Sequence, residues 1–176
     1  MELLARFRVA LGWVFAPLVL ILANPSSESI LVGTLVGLVG EGIRIWAAGH
    51  LNKAREVTSS GPYRFFSHPL YVGSSVIGAG LAIASANPIA AALIALYLAV
   101  TLRAAIRNEE AFLRRTFGEQ YHRYRSERVV DHDRRFSVAQ AMANREYRAL
   151  VGLVAAMLLL VLKASYNGMF WRAAGP

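Results

Sequence analysis

Three short segments carry residue types whose spacing can do chemistry. The first is Ser60-Gly61-Pro62-Tyr63-Arg64-Phe65-Phe66-Ser67-His68-Pro69-Leu70-Tyr71-Val72-Gly73. Gly61-Pro62 forces a turn, and Pro69 suits the first position of a helix, where a missing N–H costs nothing. Ser67 or His68 then caps that helix. Its start offers free backbone N–H groups and a positive dipole end to an anion such as a carboxylate. His68 and Tyr71, three apart, stand together beside it. An interfacial belt of Tyr and Phe with a capping histidine is the plainer alternative, and both readings stand on these residues alone. The second segment holds the adjacent carboxylates Glu109 and Glu110. They can bind a cationic or hydroxyl-rich ligand, or pair with Arg103, Arg107, Arg114 and Arg115 as a solvated helix face. Tyr121 and Tyr124 follow at i, i+3 and can stack on a ligand ring or a cation. The third is Glu41 with Arg44, which share a helix face and can pair. Ionisable groups at membrane depth are functional by default, with a structural ion pair as the alternative.

The elements that must position these groups are apolar. Of 176 residues, 56% are hydrophobic and 17% charged, with a mean hydropathy of +0.41. Disordered chains are poor in apolar residues. A soluble globule carries about 25% charged residues, so that class is disfavoured too. The absence of cysteine excludes disulfides, thiolate zinc sites, iron–sulfur clusters and a cysteine nucleophile. A transmembrane helix needs about 20 mostly apolar residues. Five runs qualify, near 9–23, 30–48, 70–86, 88–106 and 150–164. Arg6 and Arg8 flank the first, so a signal peptide competes with a membrane anchor there. No convincing cleavage site follows, and the run is read as a retained anchor. Asn87-Pro88 marks a turn, so 70–106 should form a tight helical hairpin. Gly118 should end the helix that carries the two acids.

Charge placement gives sidedness. Segments 44–68 and 103–148, with Arg6 and Arg8, hold 17 of the 19 basic residues; Lys163 and Arg172 fall on the other side. The basic side should be cytoplasmic, with the N-terminus in and the C-terminus out. The net charge of +8 then reads as topology and contact with anionic membrane lipids, with no nucleic-acid partner. Residues 134–148 read as an interfacial amphipathic helix that either closes over a site or, as we prefer, anchors the chain. The expectation is an all-α polytopic membrane bundle of about five transmembrane helices, integral to a bacterial inner membrane. It would comprise an anchor helix at 1–29, a core at 30–128 and an amphipathic segment plus an extra helix at 129–176. Oligomeric state is not legible.

In this order the motifs resemble the isoprenylcysteine carboxyl methyltransferase family, within the wider group of integral-membrane methyltransferases, over about residues 30–128. The carriers are Gly40-Glu41-Gly42-Ile43-Arg44-Ile45-Trp46-Ala47, Gly61-Pro62-Tyr63-Arg64, and His68-Pro69-Leu70-Tyr71-Val72-Gly73. Asn108-Glu109-Glu110 with Leu113, Phe117-Gly118, and Tyr121 with Tyr124 complete the set. The resemblance implies S-adenosylmethionine as cofactor, held at the cytoplasmic helix ends. It implies a lipophilic acceptor entering from the bilayer: an isoprenoid or lipid carboxylate, or an amine headgroup. His68, Tyr71, Gly73, Glu109 and Tyr121, with Tyr63, Arg64 and Tyr124, would contact the cofactor, and Glu110 would lie near the acceptor. Two departures stand out. Ser67 replaces an arginine that usually precedes His-Pro, with Arg64 the nearest substitute. Ala105 replaces an arginine proposed to orient a substrate carboxylate, for which Arg103 or Arg107 can stand in. Methyl transfer from a sulfonium is an in-line displacement that needs no metal, only a nucleophile held about 3–3.5 Å from the methyl carbon. An amine or hydroxyl acceptor would also need a base, Glu110 or His68. A membrane reductase of the sterol-reductase type, using NADPH, shares the Gly-Pro-Tyr and His-Pro-x-Tyr pattern, and a non-catalytic scaffold could retain the fold. The adjacent acids favour the methyltransferase.

Overall fold

Helix ends are written plainly into this chain, and the computed structural model, which describes residues 12, 14–52, 55–127 and 134–168, places them where the capping residues stand. Residues 14–22 are helical (α1). The start of that span lies outside the described residues, as do Arg6, Arg8, Lys53 and Arg172. Ser26 opens α2 (Ser27–His50) with a reciprocal cap: its Oγ accepts from the Ser29 N–H at 3.2 Å, and its own N–H donates to Ser29 Oγ at 2.9 Å. A 3-10 turn at Gly61–Arg64 leads into α3 (Pro69–Ser85). Ala86, left-handed at φ 46°, and Asn87 reverse the chain into α4 (Pro88–Glu127). Asn87 Oδ1 accepts from the N–H groups of Ile89 and Ala90 at 2.9 and 3.0 Å. The hairpin expected at 70–106 is therefore present. Two further helices, α5 (Val138–Ala143) and α6 (Tyr147–Tyr166), complete the described chain, and no strand occurs among the described residues.

The helices α2 and α6 and the apolar part of α4 are long and apolar enough to cross a membrane. At 17 residues, α3 reaches about 26 Å, close to the hydrocarbon thickness of about 30 Å. Leu31, Leu35 and Leu38 on α2 and Leu158 and Leu162 on α6 face outward, as lipid-facing positions do. The protein is an all-helical integral membrane bundle. A core of Ala23, Ile30, Ala84, Leu153, Met157 and Leu160 joins α2, α3 and α6 at the end away from most of the charge. There Lys163 donates to the Leu20 and Ile21 carbonyls at 2.5 and 2.6 Å, satisfying orphan acceptors at the end of α1.

The antiparallel pair α2 and α3 meets along glycine. A Cβ on Gly40 would lie 2.7 Å from the Gly73 carbonyl oxygen, and one on Gly80 would lie 2.5 Å from that of Gly33. Small residues buy helix proximity in lipid, and here backbone meets backbone. Gly80→Val should therefore destabilise the bundle by about 1–3 kcal/mol. Gly152→Val, where a Cβ meets nothing within 4 Å, should be tolerated. Thermal unfolding of both variants in detergent checks this.

The segment read as an amphipathic helix over 134–148 is shorter than that. Within it Val138–Ala143 is a short helix of its own, residues 144–146 turn, α6 begins at Tyr147, and the segment straps the end of α2. Ser137 N–H donates to the Gly49 carbonyl at 3.2 Å. Gln140 Nε2 donates to that of Leu51 at 2.9 Å, and Asn144 Nδ2 to those of Ala48 and Leu51 at 2.8 Å. These bonds fill the carbonyls that a helix end leaves open. The expected Glu41–Arg44 pair does not form. Arg44 Nε donates to Glu146 Oε1 at 2.5 Å, and Nη1 to Ser74 Oγ at 2.5 Å. Glu41 shares the helix face of Arg44, but Glu146 arrives from the strap and takes the guanidinium.

Candidate functional site

Gly118 builds the site by bending α4. Its φ of 44° and ψ of −112° lie outside any helix. In a straight helix Glu110 and Arg125 would stand about 22 Å apart along the axis, yet Arg125 Nη1 lies 2.8 Å from Glu110 Oε1. The helix therefore folds back after Gly118, which agrees with the helix end read there. Its returning turn buries Tyr121 and Tyr124 against Val57, beside Leu113 and Phe117. Tyr124 Oη donates to the Tyr63 carbonyl at 2.7 Å, pinning the fold-back to the Gly-Pro-Tyr turn.

His68 caps α3, as its place before Pro69 suggested. Its Nδ1 lies 3.4 Å from Glu109 Oε2 and its Nε2 lies 3.4 Å from Glu110 Oε1. Both ring nitrogens can donate only when the imidazole is protonated. Burial pushes His68 towards neutrality, but the hydrogen bonds and charges of the two acids outweigh it, and its pKa is raised. Burial works against ionised Glu110 as well, yet Arg125 and His68 hold its carboxyl below the usual range. Arg114 Nη2 adds a third cation at 3.6 Å. Burial, then Glu110, raises the Tyr121 phenol. Burial, then Glu109, raises that of Tyr63 further.

A pH signature follows. The raised His68 pKa means that its pairing contributes fully below about pH 6.5, the unfolded histidine value, and is lost as pH rises through the folded value. Glu109→Gln should move the His68 titration midpoint down. Histidine-selective NMR, with His68→Gln to assign the signal, measures it.

Other candidates lie around this cluster or apart from it. The Tyr71 ring centroid is 5.8 Å from that of His68. Arg64 is exposed beside the turn. Arg103 and Arg107 lie one helical turn apart on α4. With His68 and Tyr71 they line the basic end of a groove of about 950 Å³ between α3 and α4, walled by Val72, Ala79, Ala95 and Leu98. Among the described residues neither arginine makes an ion pair or a hydrogen bond. Gly73 stands away from the cluster, packed on Gly40 and Arg44. The cradle of free N–H groups expected at the start of α3 is largely filled. Pro69 has no N–H, and those of Tyr71 and Val72 donate to the His68 carbonyl at 3.0 and 3.2 Å. Sequence reasoning missed Arg125 as a site residue; its place beside Tyr121 and Tyr124, just past a helix-breaking glycine, was the available signal. It also missed Glu146, for which no local signal exists.

One comparison with known proteins matches this region. A family profile described as phospholipid methyltransferase matches residues 29–120. That stretch takes in α2, α3, the groove arginines and both acids, and stops short of Tyr121, Arg125 and the strap. The nickel-cobalt-cadmium resistance protein NccN of Alcaligenes xylosoxydans xylosoxydans is 35% identical over 91 residues, which are 51% of this chain and 41% of that protein. The chain thus spans about two fifths of that relative's length. No solved structure matches significantly. The match to just over half of the chain agrees with the motif order and the helical bundle: the chain belongs to the phospholipid methyltransferase family, a family of membrane methyltransferases.

Proposed function

We propose that the protein transfers a methyl group from S-adenosylmethionine to a lipophilic acceptor lying in the α3–α4 groove. The observation that carries the reading is that His68, set between the two acids, also lines the mouth of the apolar groove, where the Tyr71 ring lies 5.8 Å from it. The cofactor's chemistry fits these residues. Bound there, S-adenosylmethionine would supply an electrophilic methyl group on a sulfonium cation. Glu109 is the more exposed acid, 36% against 22% for Glu110, with His68 as its ion-pair partner. It keeps lone pairs for the cofactor's ammonium or ribose hydroxyls. Tyr63, Arg64, Tyr121 and Tyr124 shape or flank that end, the last two mainly by packing.

Glu110 is a fixed charge here. Ringed by His68, Arg114 and Arg125 and held below its usual pKa, it is a poor base. A protonated His68 is no better. A carboxylate acceptor needs no proton removed, and Arg103 with Arg107 offers a carboxylate two guanidinium groups that no described residue pairs. An isoprenoid or lipid carboxylate therefore suits the geometry better than an amine headgroup. The skewed placement of Arg and Lys supports a cytoplasmic site, and a bacterial inner membrane belongs to the same proposal.

Isothermal titration of the purified protein tests the reading. S-adenosylmethionine should bind in the micromolar range, NADPH should not, and Glu109→Ala should weaken cofactor binding at least tenfold. Preference for NADPH would favour a reductase, binding of neither a scaffold, and equal binding by Glu109→Ala would remove the assigned site. Mass spectrometry of lipids labelled from methyl-deuterated cofactor then identifies the acceptor.

A further inference from the structure

A surplus buried acid stands where the strap meets the helix pair. Arg44 binds Glu146 through Nε and reaches Ser74 and the Leu70 carbonyl through Nη1. Glu41, on the same face of α2, is 2% exposed, and both of its carboxyl oxygens are buried without a hydrogen-bond partner among the described residues. Its charged neighbours are Arg44 on its own helix and Glu146 at the head of α6. From α3, Gly73 and Ile77 pack on this stretch at Gly40, and neither ionises; from α6, Leu153 and Met157 pack one turn away at Gly37. Tyr71 and Ser74 of α3 share a cavity with Arg44 and Glu146.

Two carboxyls against one guanidinium leave one excess negative charge, out of reach of water. An ionised carboxylate in such a place costs several kcal/mol unless it is paired and hydrogen-bonded. Arg44 is already committed. A metal cation is a poor answer, because no group of three His, Asp or Glu side chains among the described residues is placed to hold one.

We infer that Glu41 is a proton-binding site and that its proton keeps Glu146 as the partner of Arg44. With the proton bound, Glu41 is a neutral neighbour. Without it, Glu41 becomes a rival anion on Arg44's own helix face, and the guanidinium is drawn from Glu146. Glu146 follows Asn144, whose amide holds the Ala48 and Leu51 carbonyls. Loss of the proton therefore loosens the strap on α2. The inference is independent of the methyl-transfer reading.

Two measurements on the full-length protein in lipid nanodiscs test it. The infrared difference between wild type and Glu41→Gln at neutral pH should contain a protonated-carboxyl C=O band that shifts in D2O and is lost in the variant. The chain has no cysteine, so a spin label at Val138→Cys, an exposed strap position, reports strap mobility cleanly. Mobility should rise as pH is raised in the otherwise wild-type chain, and this rise should vanish with Glu41→Gln. A carboxylate band lost in place of the carboxyl band overturns the proposal. So does strap mobility independent of pH in the wild-type background, or one that responds to pH equally with and without Glu41. The infrared spectrum and pH series of the wild-type background stand even if the variant folds poorly.

Discussion

Gly118→Ala is expected to lower S-adenosylmethionine affinity at least tenfold while leaving the helix content of the bundle unchanged. A Cβ at this position would meet nothing within 4 Å, so the penalty comes from the backbone alone. L-residues avoid φ 44°, ψ −112°, and holding one there costs on the order of 1–3 kcal/mol. Against that strain the fold-back sets the burial of Tyr121 and Tyr124 beside Val57 and two polar contacts. The Arg125–Glu110 pair is half exposed on the arginine side, and exposed pairs contribute about 0–1 kcal/mol. The buried Tyr124–Tyr63 hydrogen bond contributes about 1 kcal/mol. A tenfold loss requires about 1.4 kcal/mol, within the range of the strain. Gly118→Asn should not rescue, because the left-handed helical region that asparagine tolerates lies near ψ +47°. Circular dichroism beside isothermal titration decides: unchanged affinity would mean that the returning turn does not build the cofactor site.

Removing both groove arginines, Arg103→Ala with Arg107→Ala, is expected to raise KM for a carboxylate acceptor about 100-fold, with cofactor affinity unchanged. Both side chains are exposed at the groove mouth, so each charge-assisted contact is assigned about 1.4 kcal/mol, the low side of its range. Two such contacts multiply to about 100-fold if they act independently. Steady-state kinetics with a carboxylate amphiphile and its neutral amide or alcohol counterpart measures the effect. If both acceptors lose equally, or neither does, the arginines serve topology and do not recognise the head group.

Much of the architecture was legible because its causes are local. Apolar run length set the helices, Asn87-Pro88 the turn between α3 and α4, Gly118 the end of a helix, and Pro69 the start of α3 with Ser67 or His68 before it. That the two adjacent acids and the histidine share a site is what the family resemblance implies, and in the structure both acids lie 3.4 Å from the one imidazole. Gly73 shows the limit of such reading. Its motif neighbours His68 and Tyr71 face the site, but its own face of α3 packs on α2, which only the crossing of two helices reveals.

Ion-pair partners were the least legible feature. From its position in the sequence Arg44 had Glu41 within reach, but its partner in the fold is Glu146, 102 positions away. Arg125 reaches Glu110 across 15 positions that a straight helix would keep apart. Hydrophobic run lengths, caps and the skewed placement of arginines determine by themselves a basic-ended bundle of membrane helices, because those signals act within a turn or two of the chain or through the bilayer as a whole. Which acid meets which cation, which glycine face touches which helix, and which carboxyl is left over were decided only by tertiary packing. Charges at the end of long side chains choose among all neighbours in space, and the sequence orders only those along the chain.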